Sequence, residues 1–357
     1  MHTPRSAFVI ALIVAFTCAP GDVRAAEPPV IRKPMPAPST PSYIPPLPPA
    51  QYDPTLSIGG QDVDARKVRT RLSVDVSVNG RGPYRFIVDS GADTSVVGLR
   101  ITSALELPLG KPVVLHGMTS RNLVDRVKVE ELSLGTTTVR DLQLPALREI
   151  DLGGDGIVGI DALQQQRLMM DFERNTIKVE DAHVRYKPLP GEIVVTARRE
   201  RGQLILTHVR ASGLSLDAVI DTGSEITIGN LALRDKLVRR RGQPLEVIEA
   251  TGVTGETMKL QVAVIDELQL GPITLRNVPM AFADVPPFKM FRLDDEPALL
   301  IGTDLLDTFR RVSLDFKARK VRFQLKRCKD TGIIASMSHT TSLLRLSSTG
   351  TADVCGR

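Results

Sequence analysis

Two aspartates sit at equivalent places in two copies of one stretch: FIVDSGADTSVVG, Phe86 to Gly98, and AVIDTGSEITIGN, Ala218 to Asn230. Each copy passes from a β-branched apolar run through Asp-Ser/Thr-Gly to further β-branched residues, the pattern of strand, tight turn and strand. Asp89 and Asp221 occupy the turns. Two carboxylates held side by side cannot both ionise cheaply, so one keeps a proton and the pair titrates at split values. The ionised member can then act as base on a bound water while the protonated one donates to an acyl oxygen. Such a pair suffices for peptide hydrolysis without a metal.

The residues beside the aspartates suit that chemistry. Gly91 and Gly223 leave room for close approach of backbone and substrate. Ser90 and Thr222 carry hydroxyls able to bond across an axis between the two turns and hold both loops rigid. The copies differ after the glycine, with Ala92 in the first and Ser224 in the second. A Ser224 hydroxyl donating to Asp221 would favour its charged form, which predicts that Asp89 carries the shared proton.

The flanking sequence repeats with the motifs, in order and at nearly constant offset. Gly117 in HGMTS matches Gly252 in TGVTG, Leu134-Gly135 matches Leu270-Gly271, GIVGIDAL matches LLIGTDLL, and Asp171-Phe172 matches Asp315-Phe316. The chain is therefore read as a tandem duplication. Tryptophan is absent and aromatics are few, so the core must come mainly from Val, Leu and Ile, which favours sheets. Alternation at Leu72, Val74, Val76 and Val78 leads into Asn79-Gly80, a hairpin signal, and a helical turn is expected over Ala162 to Arg167.

These two motifs, each followed by an apolar-apolar-Gly element at Ile157-Val158-Gly159 and Leu300-Ile301-Gly302, resemble the aspartic peptidases, specifically their retropepsin-like branch. The likeness covers roughly Leu72 to Phe323, as two retropepsin-like units fused in one chain. It implies an all-β fold of two pseudo-symmetric acid-protease barrel lobes. By the resemblance Asp89 and Asp221 are the catalytic dyad, with Ser90 and Thr222 in a cross-lobe hydroxyl network. Gly91 and Gly223 resemble positions whose carbonyls meet the substrate backbone. Asp93 and Glu225 stand where the family places an acid that takes a substrate main-chain amide. Gly159 and Gly302 resemble the glycine packed behind the catalytic loop. Gly117 and Gly252 fall in segments expected to be flaps, and an extended peptide would lie between flaps and dyad by strand addition. Neither segment contains the flap tyrosine of the pepsin-like branch.

Other chemistries find little support. The five histidines form no HExxH or His-x-His spacing, so no metal is expected, and no cofactor motif is present. There is no G-x-S-x-G elbow and no cysteine near a histidine. The net charge of +5 comes from scattered Lys and Arg without interleaved aromatics, which argues against nucleic acid as a partner. His116, whose counterpart is Thr251, is either a pH-sensitive substrate contact or an exposed loop histidine. Asp151 to Gly156 is shorter than a calcium loop and is read as an acidic turn.

Residues 1–25 combine Arg5, a largely apolar run from Ala7 to Thr17 and a small-x-small site at Val23-Arg24-Ala25, the signature of a secretory signal peptide. Residues 26–55 are proline-rich, and such a stretch is expected to pair with no sheet and to form an extended linker. Lobe 1 is placed at 56–186, lobe 2 at 187–327 and a flexible Ser/Thr-rich tail at 328–357. Cys328 and Cys355 either form one disulfide or remain free thiols, and Cys18 raises the alternative of a lipid anchor. The expectation is an exported, periplasmic, monomeric aspartic endopeptidase acting on protein or peptide substrates in extended conformation. The alternative is a catalytically inactive peptide-binding module of the cell envelope.

Overall fold

The structure, a computed structural model, describes residues 30–38, 61–68, 71–135, 137–163, 166–238, 245–326 and 334–337. Residues 1–25 with Cys18, most of the proline-rich stretch, Cys328, Cys355 and most of the tail lie outside the described residues, and so do the signal-peptide, lipid-anchor and disulfide readings that rest on them.

Apolar alternation drives strand formation from the outset: in RLSVDVSV, Leu72, Val74, Val76 and Val78 are all buried, and polar residues alternate with them. In chain order the first half forms β1 (Met35–Pro36), β2 (Gln61–Val68), β3 (Arg71–Val78), β4 (Arg81–Val88), β5 (Val96–Gly98), α1 (Leu99–Ala104), β6 (Val113–His116), β7 (Arg121–Val124), β8 (Arg126–Leu134), β9 (Thr137–Leu147), α2 (Glu149–Leu152), β10 (Gly156–Val158), α3 (Ile160–Leu163), β11 (Gln166–Asp171) and β12 (Thr176–Asp181). The second half forms β13 (Ile193–Glu200), β14 (Gln203–Ala211), β15 (Leu214–Ile220), β16 (Ile228–Gly229), α4 (Leu231–Leu237), β17 (Glu246–Thr251), β18 (Thr257–Leu270), β19 (Ile273–Phe282), α5 (Pro286–Met290), β20 (Ala298–Ile301), α6 (Thr303–Leu306), β21 (Phe309–Asp315), β22 (Lys320–Leu325) and β23 (Ile334–Met337).

Pairing closes each half on itself. In the first, β3 pairs β4, β4 pairs β10, β10 pairs β5, β5 pairs β9, β9 pairs β8, and β8 returns to β3. The second repeats the circuit as β14, β15, β20, β16, β19 and β18. The result is two six-stranded barrels, the all-β two-lobe fold that the resemblance implied. Asn79 and Gly80, with φ of 48° and 70°, make the tight turn from β3 to β4.

A single antiparallel sheet joins the lobes in the order β2, β12, β11, β21, β22, β13. At its centre Met169 faces Ser313, and two ion pairs flank that point symmetrically: Arg167 Nε to Asp315 Oδ2 at 2.9 Å and Arg311 Nε to Asp171 Oδ2 at 2.6 Å. Each duplicated aspartate thus reaches an arginine of the other half. Buried charge demands a partner, and here the duplication supplies one in trans.

Three local expectations need correction. The proline-rich stretch does pair: Met35 and Pro36 lie antiparallel to Leu123 and Asn122 of β7. Proline is tolerated there because β1 is the outer edge of a three-stranded sheet β1-β7-β6, where its missing N–H breaks no ladder. The tail is not wholly loose, since β23 pairs with the edge of β19 from Ile273↔Met337 to Arg276↔Ile334. The helical turn expected over Ala162 to Arg167 is shorter and earlier, as α3, because Gln166 and Arg167 already belong to β11. Among the described residues no helix is long and apolar enough to cross a membrane.

Candidate active site

The buried apolar ends of β4 and β15 run to the lobe interface and deliver the two aspartates there. Parallel neighbours fix their ends: Asp89 N–H donates to Val158 O and Asp221 N–H to Ile301 O, both at 3.0 Å. Behind each turn the chain crosses itself so closely that a Cβ on Gly159 would lie 2.6 Å from the Thr94 carbonyl carbon, and one on Gly302 2.6 Å from that of Ile226. Both positions therefore need glycine.

A hydroxyl network crosses between the lobes. Ser90 Oγ donates to Ile220 O at 2.8 Å and Thr222 Oγ1 to Val88 O at 2.8 Å, while each hydroxyl accepts the N–H of the other residue, at 2.9 Å from Ser90 and 3.2 Å from Thr222. Four reciprocal bonds between buried groups leave little freedom in the separation of the turns.

The two carboxyls lie close enough to interact directly. Asp89 Oδ1 accepts the N–H groups of Gly91 at 2.8 Å and Ala92 at 2.9 Å; Asp221 Oδ1 accepts those of Gly223 at 3.0 Å and Ser224 at 3.1 Å. A Cβ on Gly91 would stand 2.6 Å from the Asp221 carboxyl carbon, and one on Gly223 would run into Asp89. The glycines thus admit the opposing carboxylate. Gly91 O meets the Gln203 side chain at 3.4 Å.

Burial raises both acids above the ordinary carboxylate range. Asp221, 7% exposed, is pushed up to about 8 by burial and then by the charge of Asp89. On Asp89 burial is opposed by the N–H groups of Gly91 and Ala92, the Arg71 charge and the Asp221 hydrogen bond. The balance favours the shared proton on Asp221 and the charge on Asp89, the reverse of the sequence expectation. Two differences produce this: Ser224 Oγ donates to Ile226 O at 2.8 Å instead of to Asp221, and the Arg71 charge favours the ionised form of Asp89, while each acid accepts two backbone N–H groups.

Asp93 and Glu225 are braced from the opposite lobe. Asp93 accepts from the Gln203 side chain and pairs with Arg201 at 3.3 Å, while Glu225 pairs with Arg71 at 3.1 Å. Asp93 lines the cleft beside the dyad. Both acids tie the lobes together across the interface.

HGMTS and TGVTG form hairpin tips, between β6 and β7 and between β17 and β18. The tips meet over the cleft, with Ser120 Oγ and Thr254 Oγ1 2.7 Å apart and Gly252 pressed against Thr119. Gly117 has more room, its nearest cross-tip neighbour being Val253 at 3.7 Å from a built Cβ. Met118 of the first tip packs into a second-lobe cluster with Ile248 and Met258, and Val253 of the second packs into a first-lobe cluster with Val113 and Leu115. Two crossed apolar tips cover the dyad where a single tyrosine-bearing flap would. Beneath them lies a cavity of about 520 Å³ lined by Asp89, Asp221, Met118 and Val253 among others. His116 also lines this cavity and is half-buried, which corrects the reading of an exposed loop residue.

Two residues escaped sequence reasoning. Asp161 accepts from Ser95 N and Oγ and Thr94 Oγ1, and Asp304 from Thr227 N and Oγ1, while Ser95 Oγ and Thr227 Oγ1 in turn accept from Gly159 and Gly302. They clamp each catalytic loop from behind. The signal was available, since both follow the repeated glycine by two positions. The acidic turn before β10 is held by arginines, through Arg148 to Asp151 and Arg100 to Asp155. Among the described residues no three of His, Cys, Asp or Glu gather as metal ligands would.

Comparison with known proteins agrees with this geometry. No curated protein matches the sequence. The aspartyl protease family matches it twice, over residues 74–162 and 207–305, one match on each barrel and each containing one aspartate of the pair. The chain thus belongs to the aspartyl protease family, as two retropepsin-like units fused in one polypeptide.

Proposed function

We propose that the protein is an exported aspartic endopeptidase that hydrolyses peptide bonds by activating water between Asp89 and Asp221. The observation that carries this reading is the pair itself: two buried carboxyls brought together at the floor of a covered cavity, where burial and mutual charge oppose the ionisation of both. A binder would need neither the paired carboxyls nor the rigid cross-lobe hydroxyls.

The steps follow from the protonation states. A peptide lies extended in the cleft, and a water sits between the carboxyls. Asp89 takes a proton from the water as its oxygen bonds to the scissile carbonyl carbon, and Asp221 gives its proton to the carbonyl oxygen. The tetrahedral intermediate collapses as the C–N bond breaks. The nitrogen takes the proton held on Asp89, and the gem-diol returns one to Asp221, which restores the starting state. The crossed flap tips exclude bulk water while this happens.

Both carboxyls come from one chain, so a monomer suffices. Export to the periplasm rests on the leader at 1–25, and fractionation of the full-length protein tests it, together with any anchor through Cys18. The activity is tested by mass spectrometry of a diverse peptide mixture incubated with protein lacking residues 1–25 between about pH 4 and pH 8. Asp89→Asn and Asp221→Asn proteins run in parallel. Cleavage by wild type that both variants lose supports the reading; cleavage equal in all three, or absent in all, overturns it.

A further inference from the structure

The two ends of the cavity differ although one duplicated sequence built them. On the first-lobe side Arg126, at the start of β8 opposite Pro145, lines the cavity; in the matching register of the second lobe Val262 lies opposite Ala281. His116 lines the same side, where the second flap carries Thr251. The second-lobe side is apolar instead, walled by Pro287, Met290 and Phe291 of and beside α5. Asn230 holds that wall by donating to Leu293 O and Glu296 O.

Arg126 is not neutralised locally. Arg126 Nε donates to Lys111 O at 2.7 Å, and among the described residues no carboxylate lies within ion-pair distance of its guanidinium. The neighbouring acids are otherwise engaged: Asp125 with Arg32, Asp93 with Arg201, Glu131 with Arg140, and Asp161 inside its own loop. Asp141 lines the cavity with an exposed side chain. His116 Nε2 is buried and has no partner. Burial lowers Arg126 from its ordinary value, as expected of a cation short of a counter-charge. A partly desolvated guanidinium without an anion is a binding feature in waiting.

We propose that the first-lobe end of the cleft accepts an acidic substrate side chain, with Arg126 as its charged partner and His116 as a second donor. The proposal deepens the peptidase reading and rests on it for the word substrate. It gives the cleft a direction, since acid is read on one side of the scissile bond only and the opposite side faces the apolar α5 wall.

The test uses one pool of proteome-derived peptides in two forms, with side-chain carboxylates intact or capped as amides. Wild type is expected to cut intact peptides with Asp or Glu on one side of the scissile bond roughly tenfold better than their capped forms. Arg126→Gln should bring that ratio near one, Arg126→Lys should restore much of it, and His116→Thr should reduce it. An acid-independent cleavage profile, or a ratio unmoved by Arg126→Gln, overturns the proposal. The same pool is also passed over immobilised Asp89→Asn protein with and without Arg126→Gln. Acid-selective capture that needs Arg126 supports the subsite even if wild type cuts nothing, and only the peptidase reading then falls. Capture without acid preference overturns the subsite.

Discussion

At the scale of single residues the site works by what its backbone withholds from the carboxylates. Gly223 is the sharpest case, because a Cβ there would intrude on Asp89 itself. Gly223→Ala should therefore keep the fold yet lower kcat/KM by roughly 100-fold, the cost of about an ångström of misplacement at a reacting centre. Circular dichroism and peptide cleavage together check this, and near-normal activity would show that the carboxylates need no such closeness. The dyad, the cross-lobe hydroxyls and the crossing glycines were legible in sequence because each occurs twice in register. Which acid holds the proton was not. That depends on where the Ser224 hydroxyl points, which is to Ile226 O, and on the Arg71 charge acting on Asp89, neither of which the repeated motifs reveal. Asp161 and Asp304 were equally visible as repeats, but an acid two residues beyond a glycine has no evident task until the chain crossing brings Ser95 and Thr227 to it.

At the scale of elements the duplication is imperfect in a way that bears on motion. The first flap carries an extra strand, β1, and the second has no described counterpart of it. Ala37 N–H donates to Arg121 O at 3.0 Å, and Arg32 binds the Asp125 carboxylate through both backbone and side chain. This strap ties the outer edge of β7 to a segment that runs ahead of the barrels. Removing residues 1–38 should raise amide exchange across β6 and β7 while leaving β17 and the start of β18 unchanged, as measured by hydrogen–deuterium exchange. Equal change in both flaps, or none, would argue against a strap. Composition concealed this element: a run dense in proline predicts an unpaired linker, and only the availability of an edge where one partner lacks an N–H reverses that. Hairpins and barrel strands, by contrast, follow directly from period-two alternation and turn residues such as Asn79-Gly80.

For the whole molecule the lobes share one sheet, and the acids gathered along their interface set how stability responds to pH. Asp89, Asp221, Asp161 and Asp304 are all raised by burial. A carboxyl whose folded value lies above its unfolded one stabilises the fold fully below the unfolded value and loses that contribution as pH rises through the folded one. For Asp221 the window runs from about 4 to about 8, and within it a single extra bound proton changes stability by up to about 1.4 kcal/mol per pH unit. Asp125 and Glu180 are lowered, so their contributions are lost only below the ordinary carboxylate range, outside that window. His116, lowered by burial and by Arg121 and Arg201, works in the opposite sense near neutrality, as one group against four. Thermal midpoints should thus be several degrees higher at pH 5 than at pH 8, against the usual tendency of acid to destabilise. Asp221→Asn should flatten that slope, because asparagine binds no proton in either state. A midpoint that rises with pH in wild type, or a slope unchanged in the variant, would show that the pair keeps no extra proton through this window, and water activation between one neutral and one ionised carboxyl would lose its basis.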